Sequence, residues 1–180
     1  MKIETKKDFE IEANKFYHKH EDIYIPEVSA IKIANIYNVE VAKVLKDMDY
    51  DMMLYNHPDF KKVIINPEKR KLSTLDGEKL GIIYGLFKIL RSSNNENLDI
   101  RLINLEKDNI EYYLAKCFLL PEDLLLSFYQ DNMMISEYIR ENMQKFNTGA
   151  LLLEERLEDI SSYGERGKVR LKKINLTKEE

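Results

Sequence analysis

The sequence predicts an α+β fold, mostly helical, with one small sheet. Apolar residues recur at helical spacing through most of the chain, which is the pattern of amphipathic helices. Between Val39 and Ile65 the texture changes to short β-prone runs, "VEVAKVL", "YDMMLYNH" and "FKKVIINP", broken at Asp, Asn and Pro. At 180 residues, 44% hydrophobic and 33% charged, the chain can bury a core without disulfides or structural metals.

The elements follow in order. Residues 7–19 read as a polar helix with Phe9, Ala13, Phe16 and Tyr17 on one side. "IPEVSAIKIANIY" is a second helix, with Pro26 suited to its first turn and Val28, Ile31, Ile33, Ala34 and Ile36 marking its apolar positions. The small sheet follows. A helix is then expected over residues 73–91, capped by Ser73 or Thr74. Its Leu80, Ile82, Ile83, Leu86 and Phe87 cover most of its circumference, which places it at the centre of the fold. "RSSNNENLD" reads as a polar loop and everything after it as helical. Helices are expected at 107–120, at "PEDLLLSFYQ" behind Pro121, at 134–145 and at 148–160, the last two split by "NTG". One domain over residues 1–163 and a basic tail over 164–180 result, with "KVRLKK" as a final strand or a loose end.

Charge and cysteine usage narrow the function. The net charge of -4 argues against a nucleic-acid binder acting through overall charge. Cys117 is the one cysteine and can make no internal disulfide, so a reducing compartment is expected. Its helical slot faces the core, where a thiol is inert. The N-terminus has no apolar run like a signal peptide, and no stretch approaches the ~20 apolar residues of a membrane helix. The expectation is a soluble, cytoplasmic protein without membrane association.

The central helix carries Gly77, Gly81 and Gly85, each four residues after the last, so all lie on one face. Each costs about 1 kcal/mol relative to alanine in a helix interior. The same spacing serves H-E-x-x-H zinc sites, in which two histidines on one face hold the metal and the glutamate is the base. Here the pentapeptide is Gly77-Glu78-Lys79-Leu80-Gly81. The glutamate is in place and glycine stands at both histidine positions.

The surroundings of that pentapeptide resemble a known family. "RKLSTLDGEKLGIIYGLF" is similar to the R-x-x-F-T-L-A-H-E-L-G-H-x-L segment of the ImmA/IrrE metallopeptidases. "DNIEYYLAKCFLLPEDLL" resembles the helix that supplies that family's third metal ligand. Asp108 falls at the ligand glutamate, Leu114, Ala115, Phe118, Leu119 and Pro121 match, and Glu111-Tyr112 replaces the Ala-Asn pair. "FNTGALLLEERLEDI" resembles the closing F-x-V-S-x-x-A-L-x-x-R-L, with Phe146, Ala150, Leu151, Arg156 and Leu157 in place. The resemblance spans about residues 10–160. It implies a zincin-like core with the glycine-striped helix at its centre, and a pseudo-active site of Gly77, Glu78, Gly81 and Asp108. Without imidazoles those residues offer too few ligands for zinc, and nothing would activate a water for Glu78. No metal, no cofactor and no peptidase activity are therefore expected.

A second reading of the stripe needs no such history. Small residues at this spacing make a smooth face against which a neighbour packs closely, and that reading also accounts for Gly85. The two are compatible, because small residues let a neighbour close over a vacated site.

The resemblance also implies a partner. Its family works beside helix-turn-helix repressors in phages and mobile elements, so a regulatory protein that binds another protein is expected. The groove beside the central helix or the acidic final helix would provide the surface. Two alternatives are a metal-dependent peptidase with non-standard ligands and a nucleic-acid-binding module using the tail's Lys168, Arg170, Lys172 and Lys173. "EYIRENMQKFNTGALLLEERL" has the rhythm of a helix-turn-helix. Its second helix sets Glu154, Glu155, Glu158 and Asp159 against Arg156 alone, which disfavours phosphate. His18 and His20, two residues apart, point to different sides of a helix and read as surface residues.

Overall fold

In a computed structural model, helices outweigh strands, and the described strands form one small mixed sheet. The elements are α1 (Ile3–Lys19), α2 (Ala30–Ile36), β1 (Val39–Lys43), β2 (Met52–His57), β3 (Phe60–Ile65), α3 (Leu75–Arg91), β4 (Asp99–Ile103), α4 (Ile110–Leu119), α5 (Glu122–Ser127), α6 (Ile135–Asn142) and α7 (Ala150–Ser162). The structure describes residues 3–19, 30–44, 49–92, 99–128 and 133–162. The expectations for Pro26, Val28, His20 and the basic tail lie outside the described residues. Among the described residues, no helix is long and apolar enough to cross a membrane. The chain divides into two compact units, one of residues 22–115 and one of residues 1–21 with 116–180.

The unit of residues 22–115 is a sheet with helices on it. Strand order is β1-β3-β2-β4. β1 runs parallel to β3, and β2 is antiparallel to both β3 and β4. Alternation sorts β2: Met52, Leu54 and Asn56 are buried, whereas Met53, Tyr55 and His57 are half-buried. Val63, opposite Leu54, extends the buried face, and α3 packs on it. The helix α2 packs on α3 and β1. Asn38 lets the chain pass directly from α2 into β1, because its φ of 57° is left-handed backbone that asparagine tolerates.

The strand β4 corrects the expectation that the chain is helical beyond the polar loop. "DIRLI" is a single short alternation, and its strand is defined by pairing along β2, Asp99 with Asn56 through Ile103 with Met52. A second correction concerns α4. It starts at Ile110 rather than at 107, because Asn109 caps it: the Asn109 Oδ1 accepts the Glu111 N–H at 3.3 Å.

The other unit is helical. Tyr138 on α6 donates its hydroxyl to the Leu125 carbonyl at 2.6 Å, and burial pushes its phenol above the usual tyrosine range. Arg156 on α7 is fully buried. Its Nη2 donates to Glu10 Oε1 of α1 at 2.6 Å and its Nε to the Leu120 carbonyl at 3.0 Å. Cys117 is buried as expected, and its thiol donates to the same Glu10 oxygen at 3.1 Å. The Lys116 ammonium lies 2.6 Å from Asp159 Oδ2, and Lys6 lies 3.2 Å from Asp159 Oδ1. Arg156 is therefore a core residue and not available to nucleic acid. The exposed side of α7 shows Leu151, Glu154 and Glu158 instead.

Candidate functional site: the glycine face of the central helix

The helix α3 begins where its capping chemistry sets it. Thr74 is the N-cap: its hydroxyl oxygen accepts the Gly77 N–H at 3.0 Å, and its carbonyl accepts the Glu78 N–H at 2.9 Å. Asp76 and Glu78 lie in the first turn and Lys88 and Arg91 in the last, each favourable to the helix dipole. Glu111 of α4 meets the last turn, 3.2 Å from Lys88 Nζ and 3.5 Å from Arg91 Nε.

The glycine face is occupied along its whole length. A Cβ on Gly77 would overlap the Lys71 carbonyl oxygen and lie 2.9 Å from the carbonyl carbon. On Gly81 it would come within 2.6 Å of Leu72 Cδ2 and 3.7 Å of Met52 Cε. On Gly85 it would meet Val63 Cγ1 at 2.8 Å and Leu54 Cδ2 at 3.1 Å. The first glycine thus accommodates backbone of the preceding turn, the second a leucine, and the third the sheet. Close approach of α3 to its own entry turn and to β2 and β3 is what the stripe permits. Gly85, which the metal pattern leaves unexplained, is explained by the sheet.

The entry turn that fills this face is itself anchored. The Leu72 N–H donates to the Lys69 carbonyl at 2.8 Å, and Asn66 Oδ1 accepts the Glu68 N–H at 3.1 Å. Asp51, 7% exposed, accepts the Leu105 N–H on Oδ2 at 2.8 Å, and its carbonyl accepts the Asn66 N–H at 3.0 Å. Lys71 Nζ donates to the Leu105 carbonyl at 2.8 Å and stands 3.8 Å from Asp51 Oδ2. These bonds tie the turn to the start of β2 and to the residues after β4. Asp51 and Lys71 do not stand out in the sequence. Their signal was weak, but Leu72 is the lone apolar residue in "EKRKLST", which marks it for burial.

Glu78 is not among the groups that fill this face. Its carboxylate pairs with Lys43 Nζ, at the end of β1, at 2.6 Å, with the two side chains 27% and 46% exposed. Asp108 lies in the turn before α4 and is exposed. Tyr84, by contrast, is buried in the middle of α3 and accepts from Asn109 Nδ2 at 3.3 Å. Burial, helped by the charges of Glu106 and Glu111, pushes its hydroxyl up to about 12. Among the described residues, no three of His, Cys, Asp and Glu gather where they could hold a metal ion. The residues do not fit a catalytic zinc: the stripe offers no donor atoms and no room for side chains bearing them.

Elsewhere, His18 is exposed as expected, 3.2 Å from Asp123 Oδ2. That pair lines a groove of about 940 Å³ with Ile11, Lys15 and Leu126. Beside the end of α3, Leu54, Lys88 and Arg101 border a crevice too narrow to admit water. No protein-family model matches the chain, and no curated protein is significantly similar to it.

Proposed function

We propose that this chain is a catalytically inactive protein of the ImmA/IrrE metallopeptidase type that acts by binding a protein partner. The plugged glycine face carries the inactive half of the reading: backbone of Lys71 and the side chain of Leu72 fill the volume that ligand side chains at positions 77 and 81 would need. The Lys43 partner of Glu78 agrees with it, since a general base must face a substrate proton. The binding half rests on α7, where Leu151 is 76% exposed beside the exposed Glu154 and Glu158. An apolar residue flanked by carboxylates suits a basic protein surface, such as that of a helix-turn-helix repressor, and repels nucleic-acid phosphate.

Elemental analysis tests the first half. Protein purified without added metal is expected to carry no stoichiometric zinc. One equivalent of tightly bound zinc, lost on changing Glu78 or Asp108, would sink the reading and make the chain a peptidase with non-standard ligands. Leu151→Glu tests the second half, by weakening capture of the partner from host lysate while leaving the melting temperature unchanged.

Glu78→Gln is expected to lower stability by less than about 1 kcal/mol, the usual worth of a partly exposed ion pair. A thermal melt beside a functional assay checks this. Lost function at unchanged stability would point instead to retained chemistry at Glu78.

A further inference from the structure

The sheet ends at β4, whose outer side has no strand beside it among the described residues. Ile100 and Leu102 on this strand are 50% and 45% exposed. They share the face of Tyr55 and Met53, their partners across β2. Asp99 and Arg101 occupy the other face and pair with each other. An edge with unpaired backbone groups and exposed aliphatic residues is a template for another strand.

We propose that β4 is a self-association edge, on which two copies of this chain pair antiparallel about a two-fold axis through Ile100. This inference stands independently of the inactive-peptidase reading. A two-fold axis normal to the sheet keeps each residue on its own face. Residues 99, 101 and 103 can therefore oppose only one another, and residues 100 and 102 likewise. An axis through Arg101 would set two guanidinium groups directly opposite, which is unfavourable. An axis through Leu102 would oppose Arg101 to an isoleucine. An axis through Ile100 opposes Asp99 to the partner's Arg101 and Arg101 to the partner's Asp99, with the two Ile100 side chains in contact on the other face. Charges on an edge strand normally discourage pairing. Here opposite charges two residues apart become complementary when the strand meets its own copy, and that self-complementarity selects a second copy over another partner. The edge is short, so the dimer is weak and concentration-dependent.

Sedimentation equilibrium of the full chain, from low micromolar to near-millimolar concentration, reads the association. A monomer–dimer equilibrium is expected. Arg101→Asp opposes two pairs of carboxylates and should weaken the dimer about tenfold or more. The double variant Asp99→Arg, Arg101→Asp restores both cross-strand pairs and should recover the wild-type constant. It also keeps both charges on their face, so it controls for misfolding of the single variant. Ile100→Lys, a change at a half-exposed site, should likewise abolish the dimer. A monomer throughout the range, or a dimer indifferent to Arg101→Asp and Ile100→Lys, would overturn the proposal, as would failure of the double variant to recover association while its melting temperature is intact.

Discussion

Replacing Gly77 and Gly81 together by histidine is expected to lower the melting temperature by roughly 4–24 °C and to create no zinc site. Overpacking a filled interior costs about 1–3 kcal/mol per site and sometimes more, and 1 kcal/mol corresponds to roughly 2–4 °C in a chain of this size. The gain in helix propensity offsets only a few tenths of a kcal/mol at each site. The two positions should differ. At Gly77 the obstacle is the Lys71 carbonyl, which the bonds from Lys71 Nζ to Leu105 and from Leu72 N–H to Lys69 hold in place. At Gly81 it is the end of the Leu72 side chain, which can rotate. Gly77→Ala should therefore destabilise more than Gly81→Ala. Removing Leu72 isolates the second clash: Leu72→Ala alone should cost about 2–5 kcal/mol as a cavity, yet Gly81→Ala should be milder in that background than in the wild type. Zinc titration of the folded double-histidine variant is the decisive measurement. Micromolar or tighter binding with an unchanged melting temperature would show an open cleft and refute the plug.

The sequence made α3 legible because its apolar residues surround it and Thr74 is a strong cap. The strands β1 to β3 were legible because each is a β-prone run closed by a breaker. The strand β4 was not, since five residues after a polar loop carry too little periodicity, and what defines them is the pairing with β2. Which way the glycine face points could not be read either. Spacing shows that Gly77, Gly81 and Gly85 share a side, but not that the occupant of that side is the turn immediately before the helix. The latch joins the side chains of Asp51 and Lys71 to the backbone of Leu105, three separate stretches of chain, and in sequence its two charged side chains look like any surface residues. Of the expected site, Gly77 and Gly81 do lie together against one plug, whereas Glu78 turns to Lys43 and Asp108 stands exposed in a turn.

Arg156 was the least legible residue of all, a lone cation among the acids of α7 in sequence and wholly buried in the structure. Arg156→Met is expected to cost about 3–5 kcal/mol, because it leaves the Glu10 carboxylate buried without its guanidinium. Glu10 would keep the Cys117 thiol as a donor, a weak substitute for a charged one. The Leu120 carbonyl would lose the Arg156 Nε–H as well. The loss should show as a lower urea midpoint with an unchanged slope. A paired replacement separates the charge from the packing. Glu10→Leu combined with Arg156→Met removes both ions and keeps apolar bulk, and such swaps are often neutral or stabilising. The double variant should therefore be more stable than Arg156→Met alone, although Glu10→Leu by itself should also destabilise, because it removes the carboxylate bonded to the guanidinium at 2.6 Å and Asp159 Oδ2 is farther, 3.9 Å from Nη1. If instead the two single costs simply add in the double variant, the pair contributes through packing rather than through mutual neutralisation, and the electrostatic account of this core is wrong.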